Sequence, residues 1–285
     1  MKLVFRVGGG ILAALVVVWL AVGTWVWSRN SVPTPPVPNR DLPADNVYPK
    51  YVELVKSVKD QKRLQRLHLD PSASAADVRQ ALQENASVLT ALRALAGKPC
   101  AVTELRPGAQ FVGALAFPGV TRLAALSMRQ TPRSDPGAAL HDLMAGLDFG
   151  AGVMRQGATL HVTTSFLSLV PVFMDAHRVV PELNAAQCKT GADSVRRLLE
   201  SHTPIWTVLE NERAVRLEQL ASTVRPGAMS IFRFQFPLEE YQRTFLMKPK
   251  RPAYDALDRY LKAWVEESRK PVMSISPPTE PRELE

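Results

Sequence analysis

The sequence predicts an all-α protein carried on a single N-terminal membrane helix. Three observations lead there: an uncharged apolar run near the start, apolar residues recurring every three or four positions across residues 46–270, and only one short stretch of alternation. Composition agrees. With 46% hydrophobic and 22% charged residues over 285 positions, the chain is no disordered tail, collagen-like fibre or disulfide-dense mini-protein. Its 35 Lys and Arg against 27 Asp and Glu leave a charge of +8, too weak an excess to indicate nucleic acid.

Residues 7–27 carry no charge, with Lys2 and Arg6 before them and Arg29 after. About 20 apolar residues in a helix span a hydrocarbon core, and the basic flank predicts residues 1–6 in the cytoplasm with everything after Trp27 outside. Trp25 and Trp27 suit the outer interfacial belt of a retained anchor. A cleaved signal peptide ending near the small residues Ala21 and Gly23 is the other reading. Residues 28–45 hold Pro33, Pro35, Pro36, Pro38 and Pro43, which fixes φ too often for a helix and predicts a semi-rigid polyproline stalk. Residues 271–285 repeat that composition and are expected to be a frayed tail.

Between stalk and tail, Tyr51, Leu54, Val55 and Val58 predict a helix capped at Asn46 with Pro49 in its first turn, and Leu64 and Leu67 extend its face. Ser74 and Asp77 open a helix along Val78, Leu82, Leu89, Leu92 and Leu95 that stops at Gly97 and Pro99. Cys100 to Pro118 reads as a long connection. Pro118 starts the next helix, and Ser134 with Pro136 starts another whose stripe is Leu140, Leu143, Met144, Leu147, Ala151 and Met154, with Gly150 and Gly152 allowing close approach. Leu160 to Val180 is apolar nearly all round and is expected to be a central helix kinked at Pro171, too interrupted for a second span. Helices follow at Ala192–Ser201, from Thr203 to Leu220, and at Ala253–Ser268. Ile231, Phe232, Phe234 and Phe236 alternate as the one strand signal. Short links predict a helical bundle or a degenerate helical-hairpin solenoid, although no period of about 34 residues recurs.

Few residues carry a chemical signal. Cys100 and Cys188 lie in a compartment that permits disulfides, and joining them would close a loop worth about 4.6 kcal/mol; two free thiols are the other reading. Two cysteines alone make no metal site, and neither a phosphate-cradling loop nor a cofactor motif is present, so no metal and no cofactor is expected. His161, Thr164, Ser168 and Asp175 share one face of the central helix, where a hydroxyl, an imidazole and a carboxylate would be sought for nucleophilic chemistry. The stronger reading has the hydroxyls bonded to carbonyls four residues back. Arg213 sits on the apolar row Trp206, Leu209, Leu217 and Leu220, with Glu210 as its nearest acceptor, and either forms a structural ion pair or holds an acidic ligand. The fragments His68-x-Asp70, His141-Asp142 and Asp175-x-His177 read as chance, as does the mid-helix sequon at Asn85.

Taken with the span and the stalk, Asn46-Val-Tyr48-Pro-Lys-Tyr51, Pro99-Cys100 and Leu209-Glu-Asn-Glu-Arg213-Ala-Val-Arg-Leu217 resemble bacterial membrane-anchored all-helical proteins of no assigned activity. The resemblance implies architecture only. The expected function is binding or scaffolding in the bacterial cell envelope, through an envelope protein partner and without nucleic acid. An envelope enzyme using His161, Ser168 and Asp175, and an anionic lipid or glycan binder using the net charge, are the alternatives.

Overall fold

The computed structural model describes residues 17–25, 28–29, 31–38, 40–105, 116–131, 134–222 and 250–282. Among these the secondary structure is helical, with no strand. No described helix is long and apolar enough to cross a membrane, and only residues 17–25, which are helical, fall within the described part of the expected anchor. The alternation at Ile231–Phe236 lies outside the described residues, as do residues 106–115 of the long connection.

The chain divides into two compact units, Asn39–Glu212 and Met1–Pro38 with Arg213–Glu285. In the first, α1 (Tyr48–Ser57), α2 (Gln61–Leu69), α3 (Ala75–Glu84), α4 (Ala86–Leu95), α5 (Pro118–Gln130), α6 (Pro136–Gly152), α7 (Thr159–Val179) and α8 (Ala185–Glu200) are followed by the start of α9 (Ile205–Ser222). In the second, the rest of α9 accompanies α10 (Lys250–Ser268).

Several boundaries depart from expectation for local reasons. α1 and α2 are separate because Asp60 adopts a left-handed conformation (φ 45°) and caps α2 by accepting from the Arg63 amide. The single helix expected over residues 74–95 breaks at Asn85, whose amide side chain accepts from Lys59 N and donates to the Lys59 and Ala81 carbonyls. That buried amide also removes the sequon from any modifying enzyme. Asp135, not Ser134, caps α6 through the Ala138 amide. α8 begins earlier than predicted, because Asn184 and Gln187 exchange side-chain and backbone bonds in a capping box. Thr203 accepts from Gln156 N at 2.7 Å.

The folded unit also reaches further back than the predicted stalk boundary at residue 45. Arg40 donates to the Val102 and Thr103 carbonyls, and Gln156 Nε2 donates to Asp41 O. Asn46 then clamps the chain after α4, exchanging bonds with both backbone groups of Ala101. The tail after α10 is not wholly frayed: Val272–Ser274 is a 3-10 turn and Ser276 N donates to Glu267.

The core is built on α5 and α6, not on the helix the sequence marks as most apolar. α5 packs on α6, α7, α2 and α3, and α6 packs on α7, α4 and α8. Tyr51, Leu64, Leu92, Phe117, Val120, Leu123, Leu126 and Phe149 are fully buried there, with the Tyr51 and Phe149 rings 4.8 Å apart. α7 packs on α5 and α6 along one side and leaves its other side exposed.

The α6–α7 seam is tight. A methyl at Gly146 would stand 2.7 Å from Val172 Cγ2, and one at Gly150 would stand 2.5 Å from Leu169 Cδ2. Alanine in a helix interior gains about 1 kcal/mol over glycine, but overpacking costs about 1–3 kcal/mol and Val172, β-branched and fully buried, cannot turn aside. Gly146→Ala is therefore expected to lower stability by up to about 2 kcal/mol, seen as a lower urea midpoint, and the penalty should vanish in a Val172→Ala background. An equal loss in both backgrounds would show that Val172 is not the obstacle.

Candidate functional site

The tight seam decides which face of α7 turns inward. Val172 and Leu169 fill the space that Gly146 and Gly150 leave open, and the side of α7 that carries the hydroxyl strip meets the core while the bulky apolar row is turned out. His161, Thr164, Ser165, Ser168 and Asp175 are all buried. Thr164 Oγ1 donates to Leu160 O and Ser168 Oγ to Thr164 O, the carbonyls four residues back, while Ser165 Oγ crosses to Gly150 O at 2.7 Å.

The strip is therefore one face, as expected, but not one site. Fourteen residues of helix separate His161 from Asp175, about 21 Å at 1.5 Å per residue. His161 Nδ1 accepts from the Ala158 amide at the start of α7, and burial pushes its pKa down to about 4. Ser168 has its bond to Thr164 and no neighbouring base on the strip. Both side chains are buried, His161 met by the cap at the start of α7 and Asp175 by ionic partners from other helices.

Asp175 instead anchors a buried ionic knot. Arg129 Nε lies 2.9 and 3.0 Å from its two oxygens, His68 Nε2 3.2 Å from Oδ2, and Arg178 Nε 3.4 Å from Oδ1. The Arg129 guanidinium also donates to the Leu67 and His68 carbonyls, closing the end of α2 onto α5 and α7. Burial raises the Asp175 carboxyl, but the bonds from His68 and Arg129 outweigh it and hold the group below the usual carboxylate range. A second inner pair joins Arg93 to Asp142 at 2.6 and 2.9 Å. The sequence fragments around His68, Asp142 and Asp175 thus hold structural pairs, united across helices rather than within each fragment.

The remaining sequence candidates separate. Arg213 pairs with Asp258 of α10 at 2.6 Å, a carboxylate on another helix of the same unit. Glu210 is exposed on α9, and Trp206 of the predicted apolar row is exposed too, whereas Leu217 is buried. Cys100 and Cys188 are free thiols, not a disulfide: Cys100 is buried and donates to Gly152 O, while Cys188 is exposed on α8. Burial pushes the Cys100 thiol up to about 12, so it stays protonated and inert. Among the described residues, no three His, Cys, Asp or Glu side chains converge as metal ligands would.

What α7 shows outward is the strongest feature of this unit. Phe166 is 69% exposed and Phe173 60%, with Leu167, Val170 and Met174 beside them. From Thr163 through Phe166, Val170 and Phe173 to His177 the steps alternate three and four, the spacing of a helical seam. Thr159 to Met174 contains no Asp, Glu, Lys or Arg. A contiguous apolar row of this size is rare on a monomer surface except where something binds. The sequence flagged these side chains as core; only their neighbours reveal that they are not.

No family model, no curated protein and no solved structure matches the chain.

Proposed function

We propose that the chain is a binding or scaffolding module of the bacterial cell envelope, tethered by an N-terminal membrane anchor, and that it docks an apolar helix of a partner protein on the outer face of α7. One observation carries this: the row Phe166, Leu167, Val170, Phe173 and Met174 is exposed while the polar strip of the same helix is buried. Large aromatic side chains left in water at seam spacing are complementary to another helix laid alongside. A lipid surface fits less well, since helices lying on membranes carry Lys and Arg beside their apolar face and this row has threonines there, with Arg178 only past its end.

The test is a photo-crosslinking residue placed at Phe166, at Phe173 and, as a control, at the exposed Arg79 of α3, in the full-length chain in cells. A discrete protein adduct at Phe166 and Phe173 but not at Arg79 is expected. Lipid adducts, equal capture at all three positions or none at any of them contradict the proposal, and an adduct of twice the chain's own mass would make the occupant a second copy. With the probe at Val170, the double substitution Phe166→Ser and Phe173→Ser should cut capture about tenfold or more while Tm moves by no more than about 2 °C, because these side chains hold nothing in the fold.

A further inference from the structure

A half-open cleft of about 420 Å³ lies within the Asn39–Glu212 unit, between the turn after α4, one side of α6 and the last turns of α8. Its base is Arg155. That side chain is only 15% exposed, its Nε is buried with no hydrogen-bond partner, and its nearest carboxylate, Asp148, stands off at 3.8 Å. The other oxygen of Asp148, Oδ2, accepts from Gly97 N at 2.9 Å and from the Tyr51 hydroxyl at 3.2 Å. A buried guanidinium nitrogen left unpaired costs free energy unless something supplies an acceptor.

The turn that carries Arg155 is held in a costly shape. Gln156 takes a left-handed φ of 57°, unusual for a non-glycine residue, and is pinned there by Thr203 Oγ1 on its amide and by Asn211 Nδ2 on its carbonyl. Asn211 also holds Gly157 O, and Val102 N holds Arg155 O. Such over-determined strain is characteristic of places where a side chain must be presented in one position.

The rim adds Lys98 and Arg197, both exposed, and the walls include Met144 and Leu198. Three cations face one carboxylate. The C-terminal ends of α4 and α8 near the cleft add about half a negative charge each, which still leaves the pocket positive. We infer that this cleft is a binding site for a small molecule with an oxyanion group, phosphate or carboxylate, on an apolar body: the oxyanion accepts from the Arg155 guanidinium, Lys98 and Arg197 screen its charge, and Met144 and Leu198 cover the body. This site is separate from the outer face of α7 and stands or falls independently of it.

The experiment is calorimetric titration of the full chain with inorganic phosphate, with phenyl phosphate and with benzyltrimethylammonium as a cation of similar size. Phenyl phosphate should bind saturably and more tightly than inorganic phosphate, with the cation silent. Arg155→Gln should weaken phenyl phosphate about tenfold or more, as loss of a charge-assisted fork does. Arg197→Ala, on an exposed side chain whose loss leaves the fold intact, should weaken it about threefold and reduce its salt dependence. Competition by vesicles of phosphatidylcholine mixed with phosphatidylglycerol, but not of phosphatidylcholine alone, would make a lipid headgroup the source of the oxyanion; no competition would make it a free metabolite. Absence of saturable binding, binding of the cation instead, or affinity unchanged in both Arg155→Gln and Arg197→Ala overturns the site.

Discussion

Asp175→Ala is expected to destabilise the Asn39–Glu212 unit by about 3–5 kcal/mol, the cost of leaving a buried charge without its partner. Arg129 is only 14% exposed, and with Asp175 gone its charge keeps just the Leu67 and His68 carbonyls, while His68 loses the carboxylate beside Nε2. Asp142→Ala should cost less, because Arg93 is 36% exposed and can turn its guanidinium to water. Urea unfolding of both variants reads the difference. A loss under about 1 kcal/mol for Asp175→Ala, no more than an exposed pair shows, would mean the knot does not hold α2, α5 and α7 together. The pair also sets an acid limit. A carboxylate held below its unfolded pKa contributes stability that is present above about pH 4 and lost as pH falls through the folded value.

The second large effect is a loss of stability at mildly acid pH through His161. The ring is buried and neutral, with its pKa pushed from 6.5 to about 4. An unfolded chain takes up a proton as pH falls below about 6.5 whereas the folded chain does not until about 4, so stability falls across that window. The difference corresponds to about 3 kcal/mol in all and about 2 kcal/mol by pH 5. Denaturation at pH 7.5 and pH 5 should show that drop in the native chain and a clearly smaller one in His161→Gln. Identical slopes in the two proteins would place the ring in water.

Much of the fold is legible in the sequence because helices declare themselves by spacing and punctuation. Pro118 and Pro136 open helices where they should, Gly97 ends one in the left-handed region it alone tolerates easily, and Gly150 and Gly152 do admit close neighbours. What spacing cannot convey is the direction in which a helix with two candidate faces will turn. Leu160 to Val180 looks central by apolar content, yet the glycines of α6 accept Val172 and Leu169, the Ser165 hydroxyl bonds Gly150 O, and Phe166 and Phe173 are left outside.

The ionic contacts failed for a related reason. His68 and Asp175 stand in two fragments more than a hundred residues apart, and Arg213 meets Asp258 across two helices. Local spacing names a neighbour on the same helix; tertiary packing supplied a better one. Asn85 shows the same limit at the scale of one residue, since a mid-helix amide gives no sign that Lys59 will claim it and break the helix. Arg155 follows an unremarkable helix end, and its significance arises only in three dimensions, where Asp148 stands off at 3.8 Å and the Arg155 Nε is buried without a hydrogen-bond partner.

The orientation of α7 is the claim on which the functional reading depends, and thiol labelling tests it directly. In a Cys188→Ser background, where the remaining Cys100 is buried and protonated, single cysteines are placed at Phe166, Val170 and Phe173 and, on the other side, at Ser165 and Ser168. Maleimide should modify the first three at rates near those of an unfolded peptide and the last two about a hundredfold or more slower, since reaction there waits on local opening of the helix. Fast labelling at Ser165 and Ser168 with protection at Phe166 and Phe173 would mean that the apolar row is core after all, and the docking face would not exist.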